Sequence, residues 1–321
     1  MKYQTLSRNN IDIMDSTVDV VCYLSNLPLS GITVTTELDG SWSRNNIPLS
    51  AFGYSMLITQ DIELLRSKQN ELRGKFVQTS QVFINNVTSV DDLEQNMMML
   101  AEMLTFATNS QVGFIGWELI GGDSGKGNLG RIRSIGGCYS AFKSPFCLIR
   151  SIQAVRFIEN CWQTYSELRL PRKLNVAIDL FTIPDAKELP LELKLGTTFI
   201  LLENLKASYA HGVYTFKNGN YFVHGGRDKK TYAELVTEMF ELVGMPQTNT
   251  WKDLRNAIIH SGLCELSPED MHEQYSLCRD AITEYLLRLL GYQGEFFLYS
   301  GDGYTTKVIR LNNLEPVATT E

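Results

Sequence analysis

The sequence predicts an α+β protein, with a β-rich N-terminal domain followed by a mainly α-helical C-terminal domain. In the first third of the chain, short runs of β-branched and aromatic residues recur between turn residues, which is typical of strands. Later segments are longer and carry apolar residues every three or four positions, which is typical of helices. The chain has 321 residues, more than a single domain usually contains, so we expect two domains, at residues 1–140 and 141–321.

Four strands are predicted in the N-terminal domain, at residues 18–24, 31–38, 54–59 and 75–84, with a tight turn at residues 39–40. A helix is expected to begin after Ser89, which is a good N-cap, and to run to about residue 107. Its predicted buried stripe consists of Leu93, Met97, Leu100 and Leu104. Another strand, at residues 112–120, leads into a glycine-rich segment at residues 121–130.

That glycine-rich segment contains a formal match to G-x-G-x-x-G at residues 125–130. A dinucleotide site needs this turn to open a helix, whereas the residues that follow hold more glycines and a proline. We interpret the segment as a flexible basic loop. A nucleotide-binding sensor built on it remains a less favoured alternative.

The C-terminal domain is predicted to contain helices at about residues 151–168, 191–209, 231–243, 250–260 and 268–290. The stripe of the second of these consists of Leu195, Phe199, Leu202 and Leu205. The short apolar run at residues 175–183 is predicted to be a strand or an extended connector before Pro184. Hairpins are expected at residues 213–223, around Asn218-Gly219, and at residues 296–309. The last helix has clear end signals, with Ser267 as N-cap and Gly291 after its end.

Composition excludes several functional classes. No apolar run reaches the roughly 18 residues of a membrane span, and the N-terminus lacks a signal-peptide core, which predicts a cytoplasmic protein. The six cysteines lack metal-binding spacings, so we expect no metal, and since the glycine-rich segment is interpreted as a loop we expect no cofactor either. The net charge of −7 disfavours a protein that coats nucleic acid. Basic residues outnumber acidic ones at residues 126–173, which indicates either an RNA-binding segment or a solvated face.

The helix predicted at residues 250–260 carries the chemistry. Thr250 is its predicted N-cap and Gly262 its end, and it holds Arg255, Asn256 and His260. On an ideal helix Asn256 and His260 share a face, whereas Arg255 lies about 140° from His260, taking ~100° per residue. Either the long guanidinium reaches round the helix, or two copies of the helix share one site in a dimer.

These residue types suit RNA cleavage. A histidine with a pKa of about 6.5 can take the proton of the attacking 2′-hydroxyl. Arginine can hold the phosphate through paired hydrogen bonds, and Asn256 can orient the imidazole or donate to the phosphate. The alternative is structural: Arg255 makes a surface salt bridge, and His260 hydrogen-bonds the last carbonyls of its helix.

The spacing Arg-x4-His, with Asn directly after the arginine, resembles the signature of the HEPN superfamily. The resemblance covers about residues 189–291, including a long helix with Leu202-Glu203-Asn204-Leu205 and a long closing helix. It implies that Arg255, Asn256 and His260 form the catalytic site and that two copies build one composite site in a homodimer. It also implies metal-independent endoribonuclease activity that leaves a cyclic phosphate. Many such proteins are toxins or antiviral defence effectors, which implies a sensor or regulatory N-terminal domain and a protein regulator or trigger.

Further RNA contacts are expected from Lys252, Arg227, Lys229 and Lys230, although a plain polar loop is the alternative for the last three. A function of a different class is a non-catalytic dimerisation or partner-binding module, in which Arg255 and His260 only hold the fold. The burial of His260 separates these hypotheses, because a catalytic histidine faces a cleft lined with cations and a structural one is enclosed.

Overall fold

The computed structural model describes residues 17–36, 42–67, 72, 74–120, 139, 143–186, 189–223, 226–245, 249–262, 264–303 and 305–310. The chain divides into two compact units, Met1–Trp162 and Gln163–Glu321. The first is β-rich and the second mainly helical, so the predicted α+β class is confirmed. The predicted domain boundary at residues 140–141, the turn at residues 39–40 and the glycine-rich segment at residues 121–130 lie outside the described residues.

The first unit contains a six-stranded antiparallel sheet in the order β2-β3-β4-β5-β1-β6. Its strands are β1 (Val18–Ser25), β2 (Thr33–Thr36), β3 (Trp42–Ala51), β4 (Tyr54–Gln60), β5 (Gln78–Val87) and β6 (Gly113–Leu119). Among the described residues, helices α1 (Ile62–Ser67) and α2 (Val90–Thr108) accompany it.

The sequence did not predict β3. Its residues include two asparagines and Pro48, which are poor strand formers, and it forms because β2 and β4 pair with it on both sides. Pro48 cannot donate a ladder hydrogen bond, and it lies beyond Asn46, the last residue paired with β2.

The register of the sheet explains the core of this unit. Val20 pairs with Ile84 and Ile84 with Met56, so these three buried side chains lie on one face of the sheet. Helix α2 contacts β6, and the Trp117 indole donates to Glu94 Oε1 at 3.0 Å.

The predictions for α2 are confirmed. The Ser89 hydroxyl accepts a hydrogen bond from the Asp92 backbone nitrogen at 3.3 Å, as an N-cap should. All four residues of the predicted stripe are buried: Leu93, Met97, Leu100 and Leu104.

Helix α3 (Ile152–Leu168) precedes the helical part of the second unit, which contains α4 (Leu174–Ala186), α5 (Leu191–Val213), α6 (Tyr232–Leu242), α7 (Lys252–Ser261) and α8 (Pro268–Leu289). Helix α5 is central, since it contacts α4, α6, α7 and α8. Its predicted stripe is buried, at Leu195, Phe199, Leu202 and Leu205. The predicted ends of α8 are confirmed: the Ser267 hydroxyl accepts from the Asp270 backbone nitrogen, and Gly291 adopts a φ of 77°.

The prediction of a strand or connector at residues 175–183 is wrong, because this segment lies inside α4. The buried residues Leu174, Ala177, Ile178 and Phe181 follow helical spacing, so the tertiary core selects a helix for a run whose residue types also suit a strand. Pro184 lies in the last turn of α4 and does not mark the end of a strand.

Both predicted hairpins are confirmed. Strands β7 (Thr215–Lys217) and β8 (Asn220–Phe222) pair across Asn218 and Gly219, whose φ values of 49° and 75° suit a tight hairpin turn. A strand that was not predicted, β9 (Lys229–Lys230), pairs with β8 and makes a three-stranded sheet. Near the C-terminus β10 (Gly294–Phe297) pairs with β11 (Thr306–Ile309). No helix in the described ranges has the length and apolar content needed to cross a membrane.

Candidate functional site

The candidate catalytic residues all lie on α7, a short helix that packs against the central helix α5. Ile258 is buried, and its side chain faces Gly196 of α5. Leu254 and Ala257 on the same helix are half-buried. Gly262 ends the helix as predicted, with a φ of 68° and a backbone nitrogen that donates to the Ile258 carbonyl at 3.0 Å.

The start of α7 differs from the prediction. Trp251, not Thr250, is the N-cap residue, and it adopts a left-handed φ of 49° without a capping hydrogen bond from its side chain. The Asn249 side-chain oxygen accepts a hydrogen bond from the Trp251 backbone nitrogen at 2.9 Å. Burial of the Trp251 indole accompanies this geometry, so packing of a large side chain overrides the local preference for a threonine cap.

Arg255 is held by contacts from three sides. Its Nη2 lies 2.7 Å from Glu203 Oε1 on α5, and its Nη1 donates to Asn256 Oδ1 at 2.7 Å. The guanidinium carbon lies 5.1 Å from the centre of the Tyr232 ring at the start of α6, a cation–π distance. The side chain is only 20% exposed, so its orientation is set before any ligand binds.

Glu203 and Tyr232 connect Arg255 to a second cation. Lys206 Nζ lies 2.5 Å from Glu203 Oε2 and 5.1 Å from the centre of the Tyr232 ring. Each carboxylate oxygen of Glu203 therefore faces one cation, and Arg255, Lys206 and Glu203 together carry one net positive charge. Burial raises the pKa of the Tyr232 hydroxyl, and the Glu203 carboxylate raises it further, so Tyr232 is neutral.

His260 is exposed at the C-terminal end of α7 and makes no hydrogen bond or ion pair with any other residue in the described part of the chain. Within one chain the structure does not bring its imidazole into contact with Arg255. The Asn256 side-chain oxygen is occupied by Arg255 and is not used to orient His260.

The candidate RNA-binding residues occupy two places in the second unit. Lys252 is exposed and lines a depression of about 580 Å³ at the first turns of α7 and α8, beside Asp253, Asp270 and Glu273. The three acids reduce the attraction of this depression for phosphate.

The other three basic candidates lie in or beside the three-stranded sheet β7-β8-β9. Arg227 and Lys229 are exposed. Lys230 is an ion-pair partner of Glu238 on α6, at 2.7 Å.

Glu203, Lys206 and Tyr232 were not predicted as site residues from the sequence. Glu203 and Lys206 stand three residues apart beside the buried stripe of α5, which is the local signal of an ion pair on one helix face. No local pattern marks Tyr232, because its contact with Arg255 depends on how α6 and α7 both pack on α5. Across the described ranges, no group of three or more His, Cys, Asp or Glu residues is arranged to hold a metal ion.

Comparison of the chain with protein families, with characterised proteins and with solved structures finds no match.

Proposed function

We propose that this chain is a metal-independent endoribonuclease of the HEPN type that acts as a toxin or antiviral defence effector in the cytoplasm. The observation that carries the proposal is the arrangement on α7: His260 is exposed at the end of the helix, and Arg255 is held in place on the same helix. An exposed imidazole can reach a substrate and can act there as a general acid or as a general base.

The contacts of Arg255 support a role in holding phosphate. A guanidinium has five N–H donors, more than the contacts with Glu203 and Asn256 occupy, so the remaining donors of Nη1 and Nη2 can bind a phosphate. Because Glu203 and Tyr232 already fix its orientation, little side-chain entropy would be lost on binding.

A second copy of α7 completes the proposed site. Arg255 and His260 point to different sides of their helix, so the homodimer supplies an arginine and a histidine that face each other across the interface. One imidazole takes the proton of the 2′-hydroxyl, whose oxygen then attacks phosphorus. The bond from phosphorus to the 5′-oxygen breaks, the leaving oxygen receives a proton, and a 2′,3′-cyclic phosphate remains. Arg255 stabilises the charge that grows on the phosphate oxygens.

The decisive experiment compares the wild type with His260→Ala and with a matched control, His272→Ala. His272 is also exposed, but it lies in the first turn of α8. The proteins are incubated with transfer RNA and ribosomal RNA in EDTA, and the fragment ends are identified. We expect the wild type and His272→Ala to cut with cyclic phosphate ends, and His260→Ala to lose at least about 100-fold in rate. Cutting that survives His260→Ala, or that EDTA abolishes, would contradict the proposal.

The composite site has its own test. The chain mass is 36.3 kDa, so sedimentation of the active species should show twice that mass. Mixing Arg255→Ala with His260→Ala should raise the activity above that of either variant alone. In an exchanged dimer one cleft contains the intact Arg255 of one chain and the intact His260 of the other. Full activity in a species of monomer mass would exclude the shared site.

One observation favours a second candidate, a non-catalytic dimerisation or partner-binding module. Arg255 already pairs with Glu203 and lies over the Tyr232 ring, as expected of an arginine that holds α5, α6 and α7 together. On this hypothesis Arg255→Ala lowers the stability of the second unit, His260→Ala changes nothing, and the wild type leaves RNA intact.

A further inference from the structure

The three-stranded sheet β7-β8-β9 has two different faces, and the strand register assigns each residue to one of them. Phe216 pairs with Tyr221, and Tyr221 pairs with Lys230, so these three side chains share a face. This face is turned toward α5 and α6, because Tyr221 is buried, the His211 ring of α5 lies 5.4 Å from both aromatic rings and Lys230 pairs with Glu238 of α6; Phe216, on the edge strand β7, is 51% exposed.

The outward face carries a different set. Phe222 pairs with Thr215 on one side and with Lys229 on the other, and Lys217 lies two residues after Thr215 on the same face. Lys217 and Lys229 are exposed, and Phe222 is partly exposed between them. Neither lysine forms an ion pair with another residue in the described ranges, in contrast to Lys230.

The outward face therefore combines one aromatic ring with unpaired cations on both neighbouring strands. Strands in a sheet are about 4.8 Å apart, so both lysines can reach phosphates that flank a base stacked on the ring. The only acidic residue from position 215 to position 230 is Asp228, beside Arg227 and Lys229, so the segment is locally basic in a chain whose net charge is −7. Stacking on aromatic rings with cations along the backbone is how proteins hold single strands without reading their sequence.

We propose that the outward face of the sheet β7-β8-β9 binds single-stranded RNA, with Phe222 stacking on a base and Lys217 and Lys229 contacting the phosphates on either side. The proposal rests on the proposed function in taking RNA as the ligand. It also separates two consecutive lysines that the sequence treats alike: Lys229 contacts RNA, and Lys230 anchors the sheet to α6.

The sheet and α7 share a neighbour. The Glu203 carboxylate that pairs with Arg255 also raises the pKa of Tyr221 on the inward face, after the larger effect of burial. His211, whose ring contacts the sheet, lies eight residues after Glu203 on α5, about 12 Å along that helix at ~1.5 Å per residue, so the sheet and Arg255 contact the same helix.

The test measures binding and not cleavage. The full chain carrying His260→Ala, which keeps the RNA intact, is titrated in EDTA against a short fluorescein-labelled oligouridine, and anisotropy is recorded at several salt concentrations. Phe222→Ala should weaken binding about tenfold or more, and Phe222→Trp should retain it, because stacking needs only an aromatic face. Lys217→Gln combined with Lys229→Gln should reduce the slope of log affinity against log salt by about 1.4, at about 0.7 per phosphate contact on a single strand.

Lys230→Gln is the matched control, since it removes the same charge from the next residue of the same strand. It should leave the salt slope unchanged, and Lys229→Gln alone should lower it. Three results would each overturn the proposal: Lys229→Gln and Lys230→Gln lower the salt slope equally, Phe222→Ala binds as tightly as its parent, or polyglutamate competes as well as unlabelled oligouridine.

Loss of binding by Phe222→Ala supports the RNA-binding face even if the wild type cuts no RNA. If the wild type cuts RNA and Phe222→Ala binds oligouridine normally, the nuclease proposal stands and the RNA-binding face is refuted.

Discussion

Asp185→Asn should destabilise the second unit far more than the loss of any exposed ion pair. The Asp185 side chain is fully buried at the end of α4, and Arg279 of α8, 1% exposed, lies 3.3 Å from it. Tyr275 and Tyr299 donate hydrogen bonds to Asp185 Oδ1 at 3.0 and 2.8 Å, and the Arg279 guanidinium carbon lies 3.6 Å from the centre of the Phe181 ring.

The loss of stability caused by Asp185→Asn follows from the interactions that an asparagine keeps and from the charge that it lacks. Its side-chain oxygen can still accept from both tyrosines, so the substitution mainly removes the charge that balances Arg279 and the partly buried Lys194, which lies 3.6 Å from Asp185 Oδ1. A buried ion left without its partner costs about 3–5 kcal/mol. The control, Lys230→Gln, breaks the partly exposed pair with Glu238 and should cost at most about 1 kcal/mol.

Urea unfolding should be followed by hydrogen exchange of peptides from α4 and α8, because a chain with two compact units need not unfold in one transition. Arg279→Met completes a double-mutant cycle, and we expect a coupling between Asp185 and Arg279 of about 1–3 kcal/mol. Equal costs for Asp185→Asn and Lys230→Gln, or additive effects in the cycle, would refute the reasoning.

Three further predictions concern stability and reactivity. In the capping box of α6 the Thr231 hydroxyl accepts from the Glu234 backbone nitrogen, and the Thr231 backbone nitrogen donates to the Glu234 carboxylate. Thr231→Ala removes this box and should lower the free energy of unfolding by about 1 kcal/mol in urea titrations. An unchanged free energy of unfolding would contradict the assignment. Gly31→Ala should destabilise the first unit, because the added Cβ would lie 2.5 Å from the Asn46 backbone nitrogen. Gly212→Ala has open space around the added Cβ and should stabilise the protein by roughly 0.5–1 kcal/mol. Thermal melts that rank the two variants the other way would exclude this packing. Burial raises the pKa of Cys22 from 9.0 to about 12, so the contribution of the neutral thiol to stability is complete below pH 9 and is lost as the pH rises toward 12. Iodoacetamide at pH 8 should therefore label half-exposed Cys147 before Cys22. Equal labelling of Cys147 and Cys22 would argue against burial of Cys22.

Features with local causes were predicted well. The cap and stripe of α2, the ends of α8 and the turn at Asn218-Gly219 all depend on residues within a few positions of one another, through capping hydrogen bonds, helical spacing and the positive φ of the turn. The candidate residues of α7 were found for the same reason, because they lie within six positions on one helix.

Features with distant causes were missed. Strand β3 is poor in strand-forming residues and exists because β2 and β4 pair with it, and residues 175–183 became a helix because their apolar residues face a helical core. The start of α7 at Trp251 follows from burial of an indole and not from the nearby threonine.

The sequence by itself determined the α+β class, the order of most helices and hairpins, and the candidate residues Arg255, Asn256 and His260. Only the tertiary structure decided what those residues touch: Glu203 and Tyr232 hold Arg255, while His260 is left exposed. It also decided that Lys229 points outward and Lys230 inward, since neighbouring residues of a strand face opposite sides and only the pairing with β8 fixes which side is which. Spacing along a chain determines which residues can share an element, and the packing of distant elements determines which charges become neighbours.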